Sequence, residues 1–209
     1  PQMRNRRERP DDFRVLDLTE GVAGPCAASL LGDMGASVVK VERPDTGDDG
    51  RAWGPPFWSG ESAMFLAVNG GKRSLAISLR DERGRDAVLG LAERADVFLQ
   101  SLRPGLAERL GLGPNAVRSR NPRLVYCSIS AYGQTGPRAE EGGFDLTVQA
   151  MSGIMQVTGE PGRPPVKCGV PLADFSAGLY GAFHIVAALR HAESTGKGQH
   201  LDVPMLGAT

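Results

Sequence analysis

Short runs of apolar and β-branched residues alternate with stretches whose apolar positions recur every three or four residues, which is the signature of a parallel α/β sheet. Residues 13–19 (FRVLDLT) read as a buried first strand. A turn containing Gly21 and Gly24 follows, with Pro25 at an expected first helical position, where its missing amide has no partner to lose. The helix through CAASLLGDMG is expected to end near Gly35, and SVVKVE (37–42) makes a second strand. A loop rich in Gly, Asp and Pro then runs from Pro44 to about Gly60. Residues 73–79 (RSLAISL) form a third strand, and Asp81 is placed to cap a helix reaching about Arg94. DVFLQS is the next strand, ending at the Pro104–Gly105 break; two short helices lead to another buried strand at 123–130. Residues 144–156 have a helical pattern. Residues 174–190 read as a long helix in which Phe175, Leu179, Phe183 and Val186 are expected to face the core. GQHLDVPM closes the pattern with an alternating strand. The fold class is therefore α/β, a Rossmann-like parallel sheet flanked by helices.

Composition narrows this picture. The 209 residues suffice for one large domain or two small ones. Lys plus Arg and Asp plus Glu both number 24, so no net field gathers nucleic acid or an anionic membrane, and neither is expected as a partner. The three cysteines, Cys26, Cys127 and Cys168, form no CxxC pair, which favours a reducing cytoplasm over a disulfide framework or zinc site. Residues 1–12 are charged and read as a solvated basic tail, leaving residues 13–209 as the folded part. No apolar run approaches the roughly 20 residues of a membrane span.

Several residues suggest chemistry. The first strand–turn–helix unit resembles a dinucleotide site, and Glu42 sits where a ribose-binding acid would sit. However, G-V-A-G-P lacks the third glycine and Pro25 removes an amide, so a tight structural turn is the better reading. Asp48 and Asp49 are oxygen donors without further ligands at workable spacing; they read as solvated, and no metal is expected. Trp53, in a Gly/Pro-rich loop, is expected to pack on a ligand or a partner subunit. Asp174 begins an apolar helix after VPLA. One reading is an N-cap; the other is a nucleophilic carboxylate kept ionised by the helix dipole. By position alone the cap is the commoner use. His184, His191 and His200 form no constellation with Ser, Cys or Asp.

Taken together, VLDLTEGVAGPCAASLLGDMGASVVKVERPDTGDDGR, NGGKRSLAISL, ADVFLQSLRPGLAERLGLG, LVYCSISAYGQTGP, GGFDLTVQAMSGIMQVTGEPGRPPVKCGVPLADFSAGLYGA and TGKGQHLDVPML resemble, in order, the class III CoA-transferase family. That family also contains α-methylacyl-CoA racemases. The resemblance covers nearly all of the chain after the first dozen residues. It implies that Asp174 is the nucleophile, passing through a mixed anhydride to an aspartyl-CoA thioester from which an acceptor carboxylate takes CoA. It implies that coenzyme A or acyl-CoA is a substrate, with no permanently bound cofactor. For the CoA seat it implies Arg43 and Arg109 at the nucleotide end and Ile77 and Leu79 beside the adenine. Val22, Ser101 and Leu102 stand where relatives often carry Gln, Asn and an aromatic residue. The loop GDDGRAWGPP resembles relatives acting on succinyl or glutaryl groups.

The resemblance also implies an interlocked homodimer and a carboxy-terminal half, with a glycine-rich loop over the active site, that this chain lacks; the expectation is a partial chain. Three rival readings remain. A racemase needs a histidine in the segment that here reads GGFDLTVQ, where Phe144 and Asp145 stand without one. A non-catalytic CoA-binding fragment would keep the fold without turnover. A nicotinamide-dependent oxidoreductase is disfavoured by the broken glycine pattern.

Overall fold

The computed structural model describes residues 13–209; the expected tail over residues 1–12 lies outside them. The chain runs β1 (Arg14–Leu18), α1 (Ala23–Asp33), β2 (Ser37–Glu42), a 3-10 turn (Asp49–Ala52), a hairpin of β3 (Phe57–Trp58) and β4 (Glu61–Ser62), and α2 (Ala63–Asn69). It continues β5 (Arg73–Ala76), α3 (Glu82–Ala92), β6 (Val97–Gln100), α4 (Leu106–Arg109), α5 (Pro114–Arg120) and β7 (Val125–Ser130). It ends α6 (Asp145–Ser152), α7 (Ile154–Thr158), α8 (Leu172–Thr195), β8 (His200–Pro204) and α9 (Met205–Ala208). Six strands form one parallel sheet in the order β5-β2-β1-β6-β7-β8. Counted among themselves, these strands follow the 3-2-1-4-5-6 order of the Rossmann fold. The expected Rossmann-like α/β sheet is the one observed.

The central strands are apolar runs because helices cover both faces of the sheet, as parallel sheets require. Successive residues alternate between two cores. Val15, Val97, Leu99, Val125, Cys127 and Ile129 join α1 and α8 on one face. Leu16, Phe98 and Tyr126 join Val88 and Leu89 of α3 and Val117 of α5 on the other. Each large side chain so enclosed stabilises the fold by roughly 1.5–3 kcal/mol relative to exposure.

Helix α8 departs from the sequence reading. Its buried face is Ala173, Ala177, Gly178, Gly181, Ala182, Ile185, Ala188 and Ala192. Leu179, Phe183 and Val186, expected in the core, are exposed, Phe183 by 71%. The cause is close approach of α8 to α1. A β-carbon on Gly178 would lie 2.9 Å from the Ala23 carbonyl oxygen and 2.9 Å from the Cys26 Cβ, so only small residues fit the contact. The 24-residue α8, whose most apolar 18-residue stretch has a mean hydropathy of 1.4, is also long and apolar enough to cross a membrane by length and composition. The sequence pattern predicts no such run. In the fold, the small-residue face of α8 is buried against the sheet and α1.

Two expected helix starts also shift. Pro25 is the third residue of α1, not the first. Asp81 stands at the cap of α3, but its side chain accepts no capping hydrogen bond. The pattern at 144–156 is broken at Gly153, which adopts a positive φ of 82° between α6 and α7.

Candidate active site

The carboxyl ends of β1, β2 and β6 open at the point where the strand order reverses, the place where open α/β sheets bind ligands. The turn from β1 into α1 at this opening is held from beneath by buried charges. Lys40, on β2, donates to the Thr19 carbonyl at 2.6 Å and pairs with Asp48 at 2.8 Å. The other Asp48 oxygen accepts from the amides of Gly21 at 3.0 Å and Gly50 at 2.8 Å. Lys72 pairs with Asp17 at 2.9 Å and donates to the Pro25 carbonyl at 2.9 Å. Burial pushes the Asp17 carboxyl upward, but Lys72 and Lys40 outweigh it and hold the group below its ordinary range. Asp48 is fully buried, which corrects its reading as a solvated acid; Asp49 beside it is exposed. Among the described residues no cluster of His, Cys, Asp and Glu has the makeup of a metal site.

This anchored turn forms one wall of a cavity of about 380 Å³, within the size range of small-molecule sites. Val22 and Trp53 line that wall; Met64 of α2, Phe144, Asp145 and Leu146 of α6 and its cap, Lys167 to Pro171, and Asp174 line the rest. Trp53 packs directly on the turn, since a β-carbon on Gly21 would come within 3.2 Å of its ring. Lys167 is the single cationic side chain on the lining, and no histidine is there.

Asp174 is the third residue of α8, whose cap is Pro171, so the expected N-cap role is not the one it takes. Another carboxylate caps the helix from across the site. Asp145 Oδ1 accepts from the Ala173 amide at 2.8 Å and from the Asp174 amide at 3.3 Å. Its Oδ2 accepts from Gln149 at 2.6 Å, and buried Gln149 in turn accepts from the Cys168 amide at 2.8 Å. Helix start and preceding loop are thus fixed, while no hydrogen bond from the described residues engages the Asp174 carboxylate. Burial, and then the charge of Asp145, push the Asp174 carboxyl up to about 7 from its ordinary 3.8. The expected effect of the helix dipole, a carboxylate held ionised, is outweighed.

The remaining sequence-selected residues lie along the sheet edge, and of the eight only Val22 and Asp174 share the cavity. Ser101 accepts from the Glu20 amide at 3.1 Å, and Glu20 pairs with Arg43 at 3.3 Å, so Ser101 and Arg43 are linked across the β1 terminus. Arg43 is also bound to Asp49. The Leu102 amide donates to Gln100 at 2.7 Å. Ile77 and Leu79 are half-buried against the α3-side core, and Arg109 ends α4, beside Gly105. Sequence reasoning did not select Asp145, Lys167 or the Lys40–Asp48 pair. The signals were present: Asp145 and Gln149 are four apart on one helix face, and Lys40 interrupts the apolar run of β2.

The profile of CoA-transferase family III matches residues 11–209. The chain belongs to this family. A succinate–glutarate CoA-transferase of Agrobacterium fabrum is 46% identical over 211 residues, covering 98% of this chain and 52% of that protein. A succinyl-CoA:glutarate CoA-transferase of Mus musculus is 45% identical over 198 residues, covering 95% and 45%. A crystal structure of a CAIB/BAIF family protein from Brucella suis superposes with a TM-score of 0.91 at 43% identity, covering 97% of this chain and 55% of that one. The chain of this CoA-transferase family member thus spans about half the length of the curated relatives it matches.

Proposed function

We propose that the protein transfers CoA between an acyl-CoA and a carboxylic acid through a covalent aspartyl-CoA thioester on Asp174. The observation that carries this reading is a carboxylate that accepts no hydrogen bond from the described residues, on a fixed helix start, facing a mostly apolar cavity. The carboxylate attacks the thioester carbonyl; the C–S bond breaks, an aspartyl anhydride forms and CoA leaves as thiolate. The thiolate attacks the aspartyl carbonyl, releasing the donor as its carboxylate and leaving CoA on Asp174. The acceptor carboxylate reverses the sequence, and no proton is gained or lost overall. Burial serves each step: it raises the basicity of the attacking oxygen and keeps water from the anhydride. Val22, Arg43, Ile77, Leu79, Ser101, Leu102 and Arg109 are the proposed CoA seat, with arginine supplying planar donors for phosphate.

The relatives named for succinate and glutarate support dicarboxylic acids as donor and acceptor. We further propose a homodimer in the cytoplasm, with CoA as substrate, no resident cofactor, and neither nucleic acid nor membrane as partner. The exposed apolar residues of α8 supply a surface for the pairing, and the balance of 24 basic and 24 acidic residues supports the exclusion of nucleic acid and membrane.

Intact mass after mixing the protein with succinyl-CoA tests the transfer. A CoA adduct is expected in the parent and absent from Asp174→Ala. CoA binding without an adduct would leave a binding fragment, and an adduct in both would move the nucleophile elsewhere.

A further inference from the structure

We propose that Lys167 is the far-carboxylate subsite of the Asp174 cavity, pairing with the second carboxylate of a dicarboxylic acyl group. The inference rests on the transfer reading above and adds the residue that recognises the acid. The cavity lining is mostly apolar, with Asp145 and Asp174 as its acids and Lys167 as its cation. An acyl group whose thioester lies at Asp174 must direct any second carboxylate away from both acids. Apolar side chains such as Met64, Phe144 and Val170 offer that group no hydrogen bond, and leaving it unpaired among them is costly.

Lys167 is both available and anchored. Its ammonium makes only a long contact to the Cys168 carbonyl, 3.4 Å, and none of the described carboxylates pairs with it. Its backbone leads into the loop that buried Gln149 holds through the Cys168 amide and the Val170 carbonyl. The flexible four-carbon stem then lets the charge follow acids of different length. This arrangement selects for a negative charge at the far end of the acyl group while leaving the chain between the two carboxyls to apolar walls.

The test separates this subsite from the transfer chemistry by blocking the nucleophile. In an Asp174→Ala background, dissociation constants are measured by calorimetry for succinyl-CoA, butyryl-CoA and free CoA. Succinyl and butyryl have the same carbon count and differ in the far carboxylate. Succinyl-CoA is expected to bind about tenfold or more tightly than butyryl-CoA, the range for a hydrogen bond to a charged group. Adding Lys167→Ala abolishes that preference, whereas Lys167→Arg keeps it. Because Lys167 is exposed, circular dichroism is expected to be unchanged in both variants. Equal affinities in the Asp174→Ala protein, or a preference that survives Lys167→Ala, overturn the subsite and leave the transfer reading standing. Failure of all three compounds to bind overturns both.

Discussion

Replacing Asp174 by Asn is expected to stabilise the protein, and to do so only above acidic pH. In the folded protein the Asp174 carboxyl is raised from 3.8 to about 7 by burial and by Asp145. Each tenfold change in proton affinity corresponds to about 1.4 kcal/mol, so ionising the group in place costs on the order of 4 kcal/mol. The folded state binds this proton more tightly than the unfolded chain does. Stability from this group is therefore fully present below pH 4, declines as pH rises toward 7, and is lost above it. Asn has the same shape and no charge to bury. The Asn variant should match the parent near pH 4 and exceed it by about 2–4 kcal/mol at pH 8, or roughly 5–15 °C in melting temperature for a chain of this size. Urea unfolding of both proteins at pH 4, 6, 7 and 8 measures the difference. A gap that does not widen with pH, or an Asn variant weaker at pH 8, would refute the argument that the site holds Asp174 at an electrostatic cost.

Four further outcomes follow from the same geometry. The rate of CoA adduct formation should fall about tenfold per pH unit below 7 and level off above it, since the attacking form is the carboxylate; Asp145→Asn should move that profile to lower pH in stopped mass measurements. Lys40→Met leaves the Asp48 carboxylate buried without its partner and should cost about 3–5 kcal/mol in denaturant unfolding. Gly21→Ala meets both a φ of +82° and the Trp53 ring at 3.2 Å, and should cost about 1–3 kcal/mol while weakening acyl-CoA binding in calorimetry. If α8 forms the dimer face, Leu179→Glu with Phe183→Glu should shift sedimentation from dimer to monomer with unchanged circular dichroism.

What the sequence made legible was local. β1, β6 and β7 announce themselves because a strand covered on both faces is apolar along most of its length, and β2 keeps the bounds read from the sequence. The face of α8 was misread because side-chain size was taken as a guide to burial. That guide fails where two helices meet through Ala and Gly, and nothing within α8 itself announces that α1 lies so close. Asp48 was misread for a related reason. Its neighbours in sequence, Gly47, Asp49 and Gly50, suggest water, whereas its partner is eight residues back on a strand. A lysine inside the apolar run of β2 was the sign that an acid had to arrive from elsewhere, because a buried ammonium demands one.

The site shows the same limit in sharper form. Asp174 was visible as an acid at a helix start, and a helix start alone argues for an ionised carboxylate. The outcome depends on Asp145, which lies 28 positions before Ala173, takes the free amides at the start of α8, and adds its own charge beside Asp174. One carboxylate thereby does two things that no local reading of either segment contains. It fixes the helix that carries Asp174, and its charge raises the proton affinity of the Asp174 carboxyl. On the proposed transfer reading, a carboxylate whose proton affinity is raised in this way is a stronger base and forms an acyl bond more readily, so the capping of α8 by Asp145 would also prepare Asp174 for covalent chemistry.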